Sequence, residues 1–216
     1  MSSKGSAAAR RQGMLFVVSA PSGAGKTSLC RAIITAVPGM RHSVSFTTRP
    51  ARPAEIEGQD YHFVAEAAFR AMIKEGVFLE WAEVYGNLYG TPRAPLRRWR
   101  EEGIDVLLDI DAQGASQIRR QEPQAVSIFI LPPSLEALRR RLEVRGADPS
   151  DEIAKRLKKA KDEVKHYRDY TYVIVNDDFQ VSLRQLEGIV LAERCRTAVL
   201  DLSVLEQALI EPQKEQ

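Results

Sequence analysis

One glycine-rich stretch decides the fold expected for this chain, Ala20-Pro21-Ser22-Gly23-Ala24-Gly25-Lys26-Thr27. It follows an apolar run at 14–20 and precedes an amphipathic stretch at 26–37, so a strand, a loop and a helix are predicted in that order. Gly23 and Gly25 let backbone N–H groups turn inward around phosphate oxygens, and the start of a helix adds positive potential. The stretch therefore predicts a loop that holds nucleotide phosphates, and the alternative is a glycine-rich turn without a ligand.

The end of this loop carries the chemistry of the Walker A pattern. Lys26 is expected to reach the β and γ phosphates of a nucleoside triphosphate, and the Thr27 hydroxyl is expected to bind Mg²⁺. Ser28 follows directly and is expected to contact the same nucleotide. The pattern begins with Ala20 instead of glycine, but this first position shapes the turn and is not required to contact phosphate.

The rest of the chain alternates apolar runs with helical stretches. Runs at 105–110, 125–131 and 170–175 are typical of buried strands, and helices are predicted at 112–122, 134–144 and 151–168. These strands lack a clean alternation of apolar and polar residues, as expected when helices cover both faces of a sheet. The order predicts an α/β fold with a parallel sheet flanked by helices.

Two stretches do not follow this alternation. Residues 43–95 combine short strand-like pieces with one helix and predict an inserted mixed α+β lobe, and the Arg- and Lys-rich 139–165 predicts a short helical lid. We therefore predict a flexible tail at 1–13, a core at 14–42, 96–138 and 166–196, and an inserted lobe at 43–95. A lid is predicted at 139–165 and a helical extension at 197–216.

Composition excludes several classes of function. The chain has 216 residues, of which 44% are hydrophobic and 28% charged, and its net charge of +2 argues against a nucleic-acid-binding protein. No segment approaches the ~20 apolar residues of a membrane span. The two cysteines, Cys30 and Cys195, are far apart and not in metal-ligand spacing, which is typical of a reduced cytoplasmic protein.

Asp109 and Asp111 close an apolar strand and, being two residues apart, face the same side. An acid at this position holds Mg²⁺ or its water in Walker B chemistry, so one of the two is expected to reach the metal through water. The alternative is that Asp111 caps the helix that begins near Ala112.

With these motifs in order, the chain resembles the guanylate kinase family over 14–196. The resemblance rests on the phosphate loop and on later stretches in the family's order: SVSFTTRPARP at 43–53, GQDYHF at 58–63, FLEWA at 78–82, YGNLYGT at 85–91, LDIDAQG at 108–114, RLEVRG at 141–146 and IVNDD at 174–178. It implies a P-loop NTPase-type core with a GMP-binding lobe and a lid.

The resemblance also implies how GMP is bound. Arg49 and Arg52 resemble ligands of the GMP phosphate, which guanidinium groups bind in a bidentate manner, and Tyr61 and Tyr89 resemble hydroxyl donors to it. The alternatives are a solvated loop for the arginines and a half-buried strand position for Tyr61. Asp109 and Asp111 are also expected to face bound GMP.

Recognition of the base is assigned, on the same resemblance, to Glu80, Ser45 and Thr91. An ionised carboxylate only accepts hydrogen bonds, so Glu80 can accept from N1–H and from the 2-amino group of guanine, whereas adenine offers neither donor there. Thr91 is expected to donate to O6. The alternatives are a strand surface position for Ser45 and a helix N-cap for Thr91.

The resemblance implies two further groups around ATP. Arg145 and Arg156 resemble lid arginines that close over the triphosphate, and with Lys26 and Arg49 they form the expected catalytic set. Arg141 is expected near adenine, which Asn176 and Asp177 would frame, mostly by backbone. The alternative for the arginines is an ordinary basic helix face.

The implied activity is transfer of the γ-phosphoryl group of MgATP to GMP, and to dGMP, for guanine nucleotide synthesis in the cytoplasm. Two alternatives come from other classes: a non-catalytic interaction module with this fold, and a kinase for another acceptor. The intact loop and the Ser45, Glu80 and Thr91 trio argue against them. Monomer and homo-oligomer both stay open.

Overall fold

The structure is a computed structural model that describes residues 10–144 and 150–210, so Arg145 lies outside the described residues. Strands in this part of the chain are β1 (Arg10–Arg11), β2 (Leu15–Ser19), β3 (Met40–His42), β4 (Ser45–Thr47), β5 (Tyr61–Phe63), β6 (Phe78–Val84), β7 (Asn87–Pro92), β8 (Asp105–Asp109), β9 (Val126–Leu131), β10 (Tyr172–Val175) and β11 (Leu200–Asp201). Helices are α1 (Lys26–Ala36), α2 (Glu66–Lys74), α3 (Arg93–Glu101), α4 (Ala112–Gln121), α5 (Leu135–Val144), α6 (Ser150–Glu163), α7 (Phe179–Arg194) and α8 (Ser203–Ile210).

A five-stranded parallel sheet in the order β10-β9-β2-β8-β3 forms the core. Central β2 is buried along its whole length, since its side chains alternate between two apolar layers. Phe16 and Val18 pack toward α1 and α7, and Leu15 and Val17 pack toward α3 and α4. The predicted parallel sheet with helices on both faces is confirmed.

Edge strand β3 was missed by the sequence analysis. It has three residues, directly after the Pro38-Gly39 turn, and only Met40 among them is buried. A strand so short shows no periodicity, and its place is set by parallel pairing with β8.

A second sheet lies within residues 43–95, in the order β5-β4-β7-β6. Its β4 and β5 are parallel, whereas β7 is antiparallel to both β4 and β6. Helix α2 covers it through Phe69, which stacks on Phe78 beside Leu88. Leu79 of β6 belongs instead to the apolar layer under α4, so it ties this sheet to the core.

Helices α5 and α6 pack on each other through a small apolar cluster of Leu138, Leu142 and Ala160. Leu138 and Leu142 also lie under Gly23, so the same cluster supports the phosphate loop. The helix expected at 151–168 ends earlier than predicted, because Val164–Asp169 continues as a 3₁₀ helix. None of the described helices combines the length and the apolar character needed to cross a membrane.

The expectation of a flexible tail over 1–13 is wrong for Arg10–Arg11. These residues form β1, which pairs antiparallel with β11 of the C-terminal segment. Arg11 binds the fully buried carboxylate of Asp105, which also accepts hydrogen bonds from Arg194 at 2.7 Å and from the Met14 N–H at 2.7 Å. Pairing with a segment almost the whole chain away has no local signal in the sequence.

Candidate active site

The phosphate loop joins the end of β2 to the start of α1. Gly23 and Gly25 adopt φ values of 90° and 96°. Residues with a Cβ atom rarely adopt such positive φ values, so the loop needs glycine at both positions. Helix α1 begins with no side-chain cap, which leaves its first N–H groups available to an anion. The predicted strand, loop and helix are present, with glycine where the backbone requires it.

The loop is held from behind by Asn176 and Arg141. The buried Asn176 amide donates to the Ala24 carbonyl at 2.8 Å, and a Cβ on Gly25 would lie 2.3 Å from the same amide nitrogen. Arg141 donates to the Asn176 carbonyl at 2.7 Å and to the Ala24 carbonyl at 3.4 Å. Asp177 is exposed. In the described structure Asn176 and Arg141 therefore brace the loop that was expected to hold ATP.

Lys26 reaches across from the loop to β8. Its Nζ lies 2.6 Å from Oδ1 of Asp109 and donates to the Ile110 carbonyl at 2.8 Å. Burial lowers the pKa of the Lys26 ammonium, but the charge and hydrogen bond of Asp109 outweigh burial, so the pKa lies above its ordinary value. The Lys26 side chain therefore keeps its positive charge at neutral pH and lies beside the loop.

The two aspartates differ in their contacts. Asp109 pairs with Lys26, whereas Oδ1 of Asp111 accepts from the Gly114 N–H at 2.9 Å and caps α4. The alternative role of Asp111 as the N-cap of this helix is thus observed. The second carboxylate oxygen of Asp111 takes no part in that hydrogen bond. Both residues line the cleft described below.

Glu80, Thr91 and Ser45 form a chain of polar side chains in the inserted sheet. Glu80 on β6 lies opposite Thr91 on β7. The Thr91 hydroxyl donates to Oε1 of Glu80 at 2.5 Å, and its oxygen lies 3.3 Å from the Ser45 hydroxyl oxygen on β4. Thr91 does not cap α3, because β7 runs on to Pro92, which is the N-cap residue. The trio predicted from the resemblance is therefore brought together.

The carboxyl group of Glu80 is unusually easy to protonate. Glu80 is buried, with 4% of its surface exposed. Burial raises the pKa of Glu80 to about 7, and the charge of Asp111 adds to the rise, while Thr91 and Lys26 oppose it. Without a ligand the protein holds this carboxyl in an environment that disfavours its charged form, which a pair of hydrogen-bond donors would stabilise.

Two of the expected phosphate ligands, Arg49 and Arg52, contact a carboxylate that the sequence analysis missed, Glu55. Arg49 donates to Oε1 of Glu55 at 2.8 Å, and the Arg52 N–H donates to Oε2 at 2.8 Å. Burial raises the pKa of Glu55, but these hydrogen bonds lower it by more, so Glu55 is ionised at neutral pH. Arg49 also lies over the Tyr61 ring, which packs edge-on against Tyr89. A signal was present, since Glu55 stands three residues after Arg52.

A cleft of about 260 Å³ opens between the core, the inserted sheet and α6. Most predicted site residues line it: Ala20, Pro21, Ser22, Gly23, Gly25, Lys26, Thr27, Ser45, Arg52, Tyr61, Glu80, Tyr89, Asp109, Asp111 and Arg156. Seven others lie outside its lining, and they are Ala24, Ser28, Arg49, Thr91, Arg141, Asn176 and Asp177. Arg49 and Thr91 still contact the site through the partners named above, whereas Ser28 is an exposed residue of α1.

Helix α6 adds two contacts that the sequence did not signal. Glu163 lines the cleft together with Ser22 of the phosphate loop and pairs with Lys159 at 3.5 Å. Burial raises the pKa of the Glu163 carboxyl, and Lys159 and Ser22 oppose that rise. Lys159 also lies 4.1 Å from the ring centre of Tyr85, in the turn between β6 and β7. The cleft is thus bridged by α6 on its open side.

The donor set suits a metal that is held mainly by a nucleotide. Among the described residues there is no group of three or more His, Cys, Asp or Glu side chains that would bind a metal ion alone. The Thr27 hydroxyl and the carboxylates of Asp109 and Asp111 are among the oxygen donors that line the cleft. Mg²⁺ prefers oxygen ligands and commonly keeps several waters and substrate phosphates, so these residues fit it.

Comparisons with known proteins agree with this geometry. Residues 12–193 match the sequence pattern of the family described as guanylate kinase. The chain is similar to the guanylate kinase of Syntrophotalea carbinolica, at 54% identity over 88% of this chain and 90% of that protein. It is also similar to that of Geobacter metallireducens, at 51% identity over 87% and 93%. The crystal structure of guanylate kinase from Anaplasma phagocytophilum covers 95% of this chain and 100% of its own, with a TM-score of 0.80 at 36% identity.

Proposed function

Because the chain belongs to the guanylate kinase family and is an ATP:GMP phosphotransferase, we propose a division of this reaction among its residues. Glu80, Thr91 and Ser45 read the guanine base, the Arg49 and Arg52 region holds its phosphate, and the loop at 20–28 holds ATP. The single observation that carries the proposal is the buried carboxyl of Glu80 in the same cleft as Lys26. The proposal extends to dGMP as acceptor and to guanine nucleotide supply in the cytoplasm, where both substrates occur.

Base recognition follows from the hydrogen-bonding capacity of Glu80. Guanine presents N1–H and a 2-amino group side by side, and an ionised carboxylate accepts from both. To donate its one hydroxyl proton toward O6 of the base, Thr91 exchanges the hydrogen bond that it makes to Oε1 of Glu80. An acceptor without these donors would leave a buried charge unmatched, and sites of this kind discriminate by ~10⁴ or more. No proposed contact involves the ribose 2′-hydroxyl, which supports use of dGMP.

The acceptor phosphate is assigned to Arg49, Arg52, Tyr61 and Tyr89. Glu55 accepts hydrogen bonds from the Arg49 guanidinium and from the backbone N–H of Arg52, and the Arg52 guanidinium lies 3.9 Å from the same carboxylate, so both arginines already lie close to one anionic group. A phosphate oxygen is already a competent nucleophile, so no general base is required and catalysis rests on alignment and charge neutralisation. The arginines hold the attacking oxygen in line with the γ-phosphorus. Asp109 and Asp111 face the same space and are proposed to border the GMP phosphate.

The donor nucleotide is assigned to the phosphate loop and α6. Lys26 turns from Asp109 to the β and γ phosphates, and the N–H groups at the start of α1 bind their oxygens. Mg²⁺, held by Thr27 and through water by Asp109 or Asp111, would neutralise charge on the triphosphate. Arg156, with Arg145, is proposed to cover the transferred group and to exclude water. Arg141, Asn176 and Asp177 are assigned to the adenine end.

These roles define the proposed division of the chain. Residues 14–42, 96–138 and 166–196 form the core, 43–95 the GMP-binding lobe, and 139–165 the lid. The separate apolar clusters under the second sheet and between α5 and α6 support this division, since each part has a small core of its own. Residues 197–216 then form an extension, whose described part contains a 3₁₀ helix at Thr197–Val199, then β11 and α8.

The experiment is a comparison of acceptors at fixed ATP: GMP, dGMP, IMP, AMP and UMP. GMP and dGMP should react with similar kcat/KM, whereas AMP and UMP should be worse by ~10⁴. IMP keeps N1–H but lacks the 2-amino group, so it should fall between them. Equal use of IMP and GMP would contradict a two-donor reading by Glu80.

A further inference from the structure

Helix α4 contains a glycine, Gly114, that its own backbone does not require. The residue lies in the first turn of the helix, and its φ is not in the positive range that favours glycine. In such a position alanine is more stable than glycine by about 1 kcal/mol. The reason for glycine must therefore lie outside the helix.

The space above Gly114 is filled by the carboxyl group of Glu80. A Cβ built on Gly114 would lie 2.3 Å from Oε2 and 3.0 Å from Cδ of Glu80. The next nearest group is the Ile110 side chain at 3.4 Å, which is ordinary contact. The atoms nearest to a methyl group at this position would thus be those of the Glu80 carboxyl group, at the end of a flexible side chain.

The carboxyl group of Glu80 is positioned from two sides. Oε1 accepts from Thr91, and the Ser45 hydroxyl supports Thr91 in turn, while Oε2 rests against the bare Cα of Gly114. A carboxyl group at the end of a flexible side chain can move by rotation about its χ angles. The helix would therefore keep its place, and Glu80 would move away from a methyl group at position 114.

We propose that Gly114 is a positioning residue for guanine recognition, because its missing side chain leaves the space in which Oε2 of Glu80 meets the base. The inference rests on the proposed base-reading role of Glu80. Gly114 also donates its N–H to Asp111, but alanine keeps that donor. A Gly114→Ala variant thus tests the space alone.

The test compares Gly114→Ala with Gly188→Ala. Gly188 is an exposed helical glycine of α7, and a Cβ there meets nothing within 4 Å. Gly114→Ala should lower kcat/KM for GMP about 10²-fold, since a displacement near 1 Å has this effect, and KM for ATP should change less than about twofold. Gly188→Ala should leave both unchanged.

A double-mutant cycle with Glu80→Ala then locates the cause. Without the carboxyl group, adding Gly114→Ala should have no further effect on kcat/KM for GMP and should stabilise the fold as much as Gly188→Ala does. If Gly114→Ala alone fails to fold, recovery of folding in the double variant supports the proposal. Failure of both to fold, or an equal loss of activity in both backgrounds, overturns it.

The outcomes separate this inference from the proposed function. If Glu80→Gln leaves KM for GMP unchanged, the base-reading role fails first. If Glu80→Gln impairs GMP use but Gly114→Ala does not, the role of Glu80 stands and only the inference about Gly114 is wrong.

Discussion

Replacing Glu80 with glutamine should stabilise the ligand-free protein at alkaline pH and at the same time impair GMP use. The pKa of Glu80 is raised from 4.5 to about 7, mainly by burial. At about 1.4 kcal/mol per pKa unit, ionising this group in the folded protein costs about 3 kcal/mol relative to the unfolded chain. Glutamine has no charge to bury, so this cost disappears.

The sign of the effect depends on pH in a defined way. A pKa that is higher in the folded state means that the folded protein binds the proton more tightly. Glu80 therefore contributes most to stability below pH 4.5, and the contribution is lost as pH rises toward 7. The Glu80→Gln variant should gain stability over the original chain between pH 4.5 and 7 and keep a constant advantage of about 3 kcal/mol above pH 8.

Urea unfolding at pH 5, 6, 7 and 8 measures this difference, because contributions from all other groups cancel between the two proteins. The control is Glu83→Gln on the same strand, which replaces an exposed carboxylate and should change stability by less than about 0.5 kcal/mol. In steady-state assays Glu80→Gln should lower kcat/KM for GMP by at least ~10²-fold with little change in KM for ATP. A stability difference that does not vary with pH would refute the reasoning.

Four further results are expected. Lys26→Ala should lower kcat by at least ~10³-fold, since the phosphates lose their nearest positive charge, and turnover near that of the original chain would exclude the loop assignment. Arg49→Lys should raise KM for GMP about tenfold, because an ammonium group cannot form the guanidinium fork, and an unchanged KM would contradict its role. KM for GMP should rise about tenfold from pH 8 to pH 6 as Glu80, with a pKa of about 7, takes up a proton, and this trend should vanish in Glu80→Gln. Asp105→Asn should destabilise the fold by about 3 kcal/mol in urea titrations, because two arginines and a buried N–H lose one shared carboxylate. Glu101→Gln, which removes an exposed ion pair, should change stability by less than about 0.5 kcal/mol, and equal effects would contradict the account of Asp105.

Local chemistry explains why much of the site was predictable. Gly23 and Gly25 are required by backbone conformation, and Lys26 follows them directly, so the loop and its charge are encoded in consecutive residues. The cap formed by Asp111 spans three residues and was available as an alternative for the same reason. The resemblance to guanylate kinases supplied Ser45, Glu80 and Thr91, which physical reasoning from single residues had left open.

Distant contacts explain what was missed. Strands β1 and β3 are too short to show a pattern and exist because other segments pair with them. The contact between Lys159 and the Tyr85 ring and the hydrogen bond from Asn176 to the Ala24 carbonyl each join residues far apart in the chain. No spacing in the sequence predicts such contacts.

The sequence by itself determined the phosphate loop and the alternation of strands and helices, because both depend on backbone conformation and apolar periodicity over short distances. The side chains proposed to face the nucleotides came from the resemblance to guanylate kinases. Only the tertiary structure decided that one carboxylate oxygen of Glu80 accepts from Thr91 and that the other lies against Gly114. It also decided how far burial raises the pKa of Glu80. These properties arise where β6, β7 and α4 meet, and desolvation and steric fit exist only after the segments have packed.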